Sequence, residues 1–388
     1  MKTYDWIVIG AGITGSALAY ELAKIGFKVA IVEKDSLAEN ATSNSYGGIA
    51  YWSATDSLTR QLAEEGIAAQ RQLPRELAAE TEFQEIDLFL TINADRDPET
   101  ILANYHDRFA IGPTLLSVSQ ACQIEPLLNP NAISGVLRLP HASVHPDKLT
   151  LAYQKAFSRL GGEIIYDRVV KLLQEREKIA GVKTLKSNYY AANTVVCAGG
   201  LSRSILASVG VKVPVYFTYA QLIKTLPVDF PLSALIMPAV QKRFDLEDRA
   251  TSSDLDRFWQ ESETQSLSPI LDPGVVQFKD NSLCIGQISQ IITNPTATID
   301  SVAGEAKIRQ GIATILPSLE KIPGTWHSCL VAFTNNSIAT VGSIENLEGI
   351  YVFSGFTSTF LFAPPLAKRF VNWVTLKEDT IIPQLSFS

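Results

Sequence analysis

Residues 6–9 form a continuous apolar run, Trp-Ile-Val-Ile, that stops at Gly10. From residue 13 the apolar positions take helical spacing, with Ala17, Leu18, Leu22 and Ala23 available to one face and Gly26 as the stop. A second apolar run follows at 29–33, so residues 4–34 predict a strand, helix, strand unit of the kind that opens a doubly wound α/β domain. A helical pattern rich in Ala, Leu, Gln and Glu occupies 58–79, after which short strands at 88–92 and 135–139 interrupt the rhythm in the manner of an insertion. The rhythm resumes with a helix at 146–161, which places Leu149, Ala152, Tyr153 and Phe157 on one side, and with strands at 163–166, 178–184 and 194–197. Residues 211–325 alternate apolar and polar over several runs, including 215–224 and a hairpin of 275–278 with 283–288, which predicts a half-covered antiparallel sheet. The polar stretch 245–268 reads as a loop with a surface helix. The chain closes with a strand at 349–354, a glycine and threonine loop at 355–359, and a helix at 363–376.

Composition narrows the function. In 388 residues, 46% hydrophobic and 19% charged, there is ample material for a large core, and disorder is not expected. The net charge of −7 and the lack of a Lys/Arg block argue against nucleic acid or anionic membrane as the partner and favour a small molecule. Cys122, Cys197, Cys284 and Cys329 include no CxxC pair, and the four histidines no HExxH, so neither a disulfide framework nor a metal site is expected. No signal-peptide pattern opens the chain, and no run reaches the roughly 20 apolar residues of a membrane span, so a cytoplasmic location is expected.

The first turn carries Gly10-Ala-Gly12-Ile13-Thr14-Gly15 between strand and helix, with Glu33 18 residues after Gly15 at the end of the next strand. The first glycine permits a tight turn, the second lets a pyrophosphate approach the backbone, and the third lets helix and strand pack closely. The helix N-terminus offers N–H groups to a phosphate, and Glu33 is placed to accept from ribose hydroxyls. NAD and FAD share this fingerprint. Three other stretches favour FAD. Residues 193–201 are a late buried strand ending in the small Ala198, Gly199 and Gly200, which lets a nucleotide approach the backbone. Residues 41–48, Ala-Thr-Ser-Asn-Ser-Tyr-Gly-Gly, supply hydroxyls and glycines able to line a pyrophosphate and isoalloxazine channel, and the loop at Gly355 brings the chain's end to its start.

With these stretches the chain resembles the D-amino-acid oxidase-like flavoproteins, which include glycine oxidase and monomeric sarcosine oxidase. The resemblance runs nearly the whole length, and its most specific parts are Val144-His-Pro-Asp-Lys-Leu149 before a helix ending at Gly161-Gly162, and residues 349–370. It implies a doubly wound, Rossmann-like FAD-binding domain from 1–80, 140–212 and 326–388, and an inserted α+β substrate domain on an antiparallel sheet from 81–139 and 213–325. It implies adenosine contacts at Glu33 and Lys34, pyrophosphate contacts at Ile13, Thr14, Thr42 and Ser43 beside Gly47 and Gly48, and an adenine-side backbone contact at Val169 or Val170. Gly355, Phe356, Thr357, Ser358, Thr359 and Phe360 would approach the flavin, and the closing helix, expected to begin near Ala363, would stabilise negative charge developing there. His327 to Thr334 matches the segment in which sarcosine oxidases carry a flavin-linked cysteine, making Cys329 a candidate attachment site. The alternative is an inert buried thiol.

The resemblance implies FAD-dependent oxidation of a small amine or amino acid, with O2 or another electron acceptor. A dehydrogenase passing electrons to a quinone or protein, and a non-catalytic FAD-binding subunit, remain open alternatives. The usual carboxylate-binding cations are absent: Tyr51 and Phe362 stand where sarcosine oxidases place an arginine and a lysine, and Val331 where glycine oxidases place an arginine. Arg243, Arg138 or Lys224 is therefore expected to replace them, unless the substrate lacks a carboxylate. Tyr51, Tyr219, Arg243 and Phe362 are the candidate pocket residues, with Gln221 and Trp52 nearby. Asn336 replaces an aspartate of the family's turn, and His141 and His145 read as structural or surface residues.

Overall fold

The computed structural model describes residues 2–36, 40–259, 264–335 and 338–387. Asn336 and part of the 245–268 stretch lie outside the described residues. Two sheets organise the chain. The first runs in the order Thr340–Ser343, Ile350–Ser354, Asn188–Val196, Thr3–Ile9, Val29–Glu33 and Glu163–Tyr166. Asn188–Val196 and Val29–Glu33 flank Thr3–Ile9, both parallel to it, and Ile350–Ser354 and Glu163–Tyr166 extend the parallel set outward. Ile7, Val8, Ala30 and Ile31 are fully buried because helices and a β-meander cover both faces, which is why these strands are apolar throughout.

The helix Ile13–Lys24 packs against the closing helix, Thr359–Leu376, and against Pro146–Arg159. Its Gly15 is obligatory, since a Cβ there would overlap the Gly10 carbonyl and stand 3.2 Å from the Cys197 Cβ. Gly26 ends the segment with φ +96°, a conformation side chains rarely tolerate. The meander Val169–Glu175 with Lys178–Thr184 attaches to Asn188–Val196. Its first strand was not among those the apolar pattern predicted, because Val170, Lys171, Gln174 and Glu175 are exposed and only Leu172 is fully buried.

The second sheet has the order Gly324–Thr334, Val215–Thr225, Leu283–Gln290, Ile270–Gln277, Ala234–Pro238, Gln84–Asn93, Ile133–Ser143 and Gly48–Ile49. It is antiparallel except where Ala234–Pro238 runs parallel to Gln84–Asn93. One face lies under the helix Ser301–Ile315, whose Ile308, Ile312 and Ile315 join Ile223, Ile285, Val275 and Phe89 in one buried cluster. Each such side chain contributes about 1.5–3 kcal/mol relative to exposure. The opposite face carries Leu222, Cys284, Val276 and Leu137 and meets Tyr46, Ala50 and Trp52 of the loop after Val29–Glu33.

The closing helix begins at Thr359, four positions before the expected Ala363, with Ser358 as N-cap. Pro364 and Pro365 obscure this start, for they lie inside the helix and lack the N–H groups that would bond the Phe360 and Leu361 carbonyls. The neighbouring helix Ser57–Glu76 compensates. Gln70 Nε2 donates to the Phe360 carbonyl, and Gly66 gives the Leu361 carbonyl room that any Cβ would fill.

Candidate FAD and substrate site

Parallel strands bring Gly10, Glu33, Ala198 and Gly355 to one carboxyl edge of the first sheet, where open α/β sheets bind their ligands. Gly10 adopts φ +107°, and a Cβ there would stand 2.6 Å from the Cys197 carbonyl oxygen. Gly12 is the N-cap of the following helix and offers no side chain, and its first turn holds no acid, so beyond the Ile13 N–H, which Thr42 takes, the helix end is open to an anion. Glu33 accepts from the Ala11 N–H at 2.7 Å and the Asp35 N–H at 3.1 Å, fixing its carboxylate beside the turn.

The 41–48 loop lies against that turn. Ile13 N–H donates to Thr42 Oγ1 at 3.2 Å, and Asn40 Oδ1 accepts from the backbone of Thr42 and Ser43. Among the described residues the buried Ser43 hydroxyl has no hydrogen-bond partner. A buried hydroxyl left unpaired is costly, and a pyrophosphate oxygen would supply an acceptor for it. This orphan, the glycine cradle and the uncapped helix fit FAD. Thr14 is half-buried in the first turn. Gly47 adopts φ +63° beside the Val144 carbonyl, and the nearest atom to a Cβ on Gly48 would be His141 Nε2 at 3.0 Å.

The other implied cofactor positions divide. Gly199 faces open space with φ +53°, whereas Gly200 is small because Phe217 and Leu330 press against it. Val169 starts its strand and Val170 is 47% exposed, in a register break that leaves residue 170 outside the ladder. Lys34 is exposed and pairs with Asp35 at 2.6 Å. Gly355 turns with φ +71° beside Thr334; Phe356 and Phe360 are buried, Thr357 donates to the Ile338 carbonyl, and Ser358 is left-handed.

The pocket candidates are not all brought together. Across the paired strands Val215–Thr225 and Gly324–Thr334, Thr218 faces Val331, Ala220 faces Cys329 and Leu222 faces His327, so these six share the face that meets the 41–52 loop. Tyr219 and Gln221 point to the other face. The Tyr219 hydroxyl donates to the Asn294 carbonyl at 2.8 Å, and Gln221 accepts from Trp326 and lies against Gly304 of the covering helix. Phe362 is buried in the core of the first sheet's helices, and Tyr51 packs on that same core.

Arg243 belongs to the helix Lys242–Ala250. Its Nε donates to Glu247 Oε1 at 2.7 Å, and that same oxygen accepts from the Thr218 hydroxyl at 3.0 Å. Burial works against the Arg243 charge, but Glu247 and Asp272 outweigh it and hold the guanidinium above its usual range. Asp272 accepts from the backbone N–H groups of Lys242 and Arg243, both at 3.0 Å. Tyr46 of the 41–48 loop lies within electrostatic reach of Asp272 and Cys284. Arg138, by contrast, is a surface partner of Asp87, and Lys224 is half-buried on the Cys329 face near Cys284.

Cys329 is buried, 3.8 Å from the Asn44 carbonyl. Burial pushes its thiol up to about 12, against the opposing pull of Arg243 and Lys224. His141, which sequence left as structural or surface, is 5% exposed and accepts from Trp52 Nε1 at 3.2 Å. His145 precedes the helix Pro146–Arg159 and packs on Phe278. No helix among the described residues is long and apolar enough to cross a membrane.

Comparison with known proteins agrees with this geometry. Residues 5–373 match the family described as FAD dependent oxidoreductase, DAO. A 4-methylaminobutanoate oxidase (formaldehyde-forming) of Paenarthrobacter nicotinovorans is 21% identical over 95% of this chain and 43% of its own length. The chain thus spans less than half of that curated relative. Glycine oxidase from Geobacillus kaustophilus superposes with TM-score 0.81 at 20% identity, covering 100% of this chain and 99% of that one. L-proline dehydrogenase from P. horikoshii superposes with TM-score 0.77 at 20% identity, over 98% and 96%. At these identities the superpositions show a shared fold.

Proposed function

Because the chain belongs to the DAO family of FAD-dependent oxidoreductases, we propose that it oxidises the C–N bond of a small amine or amino acid by hydride transfer, giving an imine that water hydrolyses. The observation that carries this reading is the one strand edge where Gly10, Glu33, Gly199 and Gly355 converge beside the unpaired Ser43 hydroxyl. In this reading Glu33 holds the adenosine ribose, and Ile13, Thr14, Thr42 and Ser43 the pyrophosphate. The segments 1–80, 140–212 and 326–388 serve FAD, and 81–139 and 213–325 the substrate. When bound, FAD supplies the hydride-accepting chemistry at N5 that no side chain offers.

The polypeptide's share is to position and to exclude water. Ala220, Leu222 and Val331 make an apolar ceiling on the face that meets the 41–52 loop, where a neutral amine is favoured over an ammonium. In this reading the start of the closing helix at Thr359, which no side chain caps, and the Gly355–Ser358 loop would offer N–H groups to the negative charge that develops on reduction. Cys329, held protonated by burial, is in this reading a packing residue, and FAD is dissociable.

Purified protein is expected to be yellow and to bleach when mixed anaerobically with a small amine or amino acid. A preparation that binds no FAD would refute the proposal. The likeness to L-proline dehydrogenase favours a second reading, in which electrons leave to an acceptor other than O2. Oxygen consumption during turnover separates the two. The four cysteines are unpaired, the state a reducing cytoplasm maintains, and we place the protein there.

A further inference from the structure

We infer that the outer face of the meander Val169–Glu175 with Lys178–Thr184, together with the turn at Leu185, docks the protein reversibly on an anionic bilayer surface, its lysines against lipid headgroups and Leu185 in the interface. This goes beyond the proposed C–N oxidation and stands independently of it.

Charge is the first observation. The chain carries −7 overall, yet residues 166–186 hold six Lys and Arg against three Asp and Glu. No contiguous block marks them, because the fold gathers the cations from two strands and a turn, and whole-chain charge therefore pointed away from membranes. Arg168, Lys171, Lys183 and Lys186 are all exposed. Lys171 and Lys183 are directly opposite one another across the antiparallel pair, and the next pair, Leu172 with Val182, is fully buried, so both lysines face outward. Like charges placed in this way repel and cost stability.

Neighbouring acids do not answer them. On the adjoining strands Glu163 pairs with Lys2, and Asp35 pairs with Lys34. Asp167 is 5% exposed, within electrostatic reach of Lys186, and spends its oxygens on the backbone N–H groups of Arg168 and Lys186. Glu175 and Glu177 stand at the opposite end of the meander beside Arg176 and Lys178. An anionic surface outside the chain supplies the missing counter-charge.

The second observation is apolar. Leu185 is 70% exposed, Tyr166 48% and Val170 47%. The Leu185 N–H donates to the Arg168 carbonyl at 3.1 Å, which sets the turn alongside these cations. Thr184 closes that turn by donating to the Ser187 carbonyl through both its N–H and its hydroxyl, each at 2.8 Å, and the Lys186 N–H donates to Asp167 at 3.1 Å. Leu185 is thus presented to solvent on a rigid frame, and Leu172, Ile179 and Val182 fix that frame to the core of the first sheet.

The pattern fits lipid better than a protein partner. Lysine is depleted in protein interfaces, whereas here three of the four cations are lysines and the exposed apolar side chains alternate with them along the chain. Headgroup attraction and a shallow apolar insertion are each marginal alone, and together they give reversible binding, with Tyr166 suited to the headgroup boundary.

The test sediments the FAD-loaded protein with vesicles of phosphatidylcholine alone and with vesicles of equal parts phosphatidylcholine and phosphatidylglycerol. Wild type is expected to pellet with the anionic vesicles, to remain in solution with the neutral ones, and to be released as salt is raised. K171Q/K183Q should weaken binding roughly thirtyfold, about fivefold for each charge. That variant relieves the repulsion between the two strands, so an unchanged FAD content and a Tm no lower than wild type show that the fold is kept. L185S should weaken binding by about fivefold or more. Equal sedimentation with both vesicles, or anionic binding unchanged in either variant, would overturn the inference. Lysine-dependent binding to polyglutamate or to duplex DNA without vesicle binding would assign the face to an acidic protein or to nucleic acid, and overturn it as well.

Discussion

Glu33 ties the tight turn to the end of its strand by accepting from Ala11 N–H, and its remaining lone pairs are those available to a ribose. Glu33→Ala is expected to weaken FAD binding by on the order of ten- to a hundredfold, the scale of hydrogen bonds to a charged group, as measured by flavin fluorescence on titration of the apoprotein. Lys34→Ala, removing an exposed side chain that pairs with Asp35, should change it less than twofold; an effect as large as at Glu33 would make Lys34 the adenosine contact that the resemblance implies. His141 gives a pH signature. Burial lowers its pKa from 6.5 to about 3, so between those values the unfolded chain takes up a proton that the folded one refuses. Stability is unaffected above pH 6.5 and falls as the pH drops through that window. Replacing His141 by Gln should therefore flatten the decline of Tm between pH 6.5 and 4 relative to wild type; an unchanged slope would count against a buried neutral imidazole. Among the thiols, Cys197, Cys284 and Cys329 are buried and Cys122 is not. Native alkylation at pH 8 should give one adduct, on Cys122, and acid precipitation should release the flavin into the supernatant. Colour in the pellet that disappears in Cys329→Ala would make Cys329 the attachment site.

Helix Thr359–Leu376 shows how two prolines are accommodated at the element scale. They free two carbonyls in the first turn, and Gln70 and Gly66 of the neighbouring helix answer them. Gln70→Leu should destabilise the protein by about 1–3 kcal/mol, the cost of a buried carbonyl left unpaired, visible as a lower urea midpoint. Gly66→Ala should do at least as much, by forcing the two helices apart. These same prolines hid the true helix start, since they are tolerated best in a first turn and the helix was therefore expected only from Ala363, after a loop at 355–359. The opening strand, helix and strand were legible because an apolar run, a glycine turn and a helical stripe all agreed, and the strand Val29–Glu33 was predicted with its observed limits. Strand Val169–Glu175 was illegible because it lies on a meander with little buried surface. The candidate cofactor-lining residues carry local chemistry and were legible as candidates through it. The facing of Tyr219 and Gln221 was not, because alternation shows that two faces exist but not which one meets the cofactor loop. The surroundings of Arg243, one of three candidate cations, were illegible as well, because of Glu247, Thr218 and Asp272 only the first is near it in sequence.

On the scale of the whole molecule, the two sheets are joined by the 41–52 loop, which contacts the dinucleotide turn through Thr42 and the second sheet through Asn44, Tyr46 and Trp52. A ligand that satisfies Ser43 and the glycine turn therefore stabilises both sheets. FAD at about a hundred times its dissociation constant should add roughly 2.7 kcal/mol to the folded state and raise Tm accordingly. A Tm independent of FAD would show that FAD does not bind the folded chain in preference to the unfolded one. The central claim, a C–N oxidation carried by FAD in this fold, is met most directly by anaerobic titration of the yellow holoprotein with small amino acids and amines while the visible flavin band is recorded. At least one small amino acid or amine is expected to bleach the band with formation of one equivalent of carbonyl product after quenching. A flavin that dithionite reduces but no amino acid or amine bleaches would contradict it.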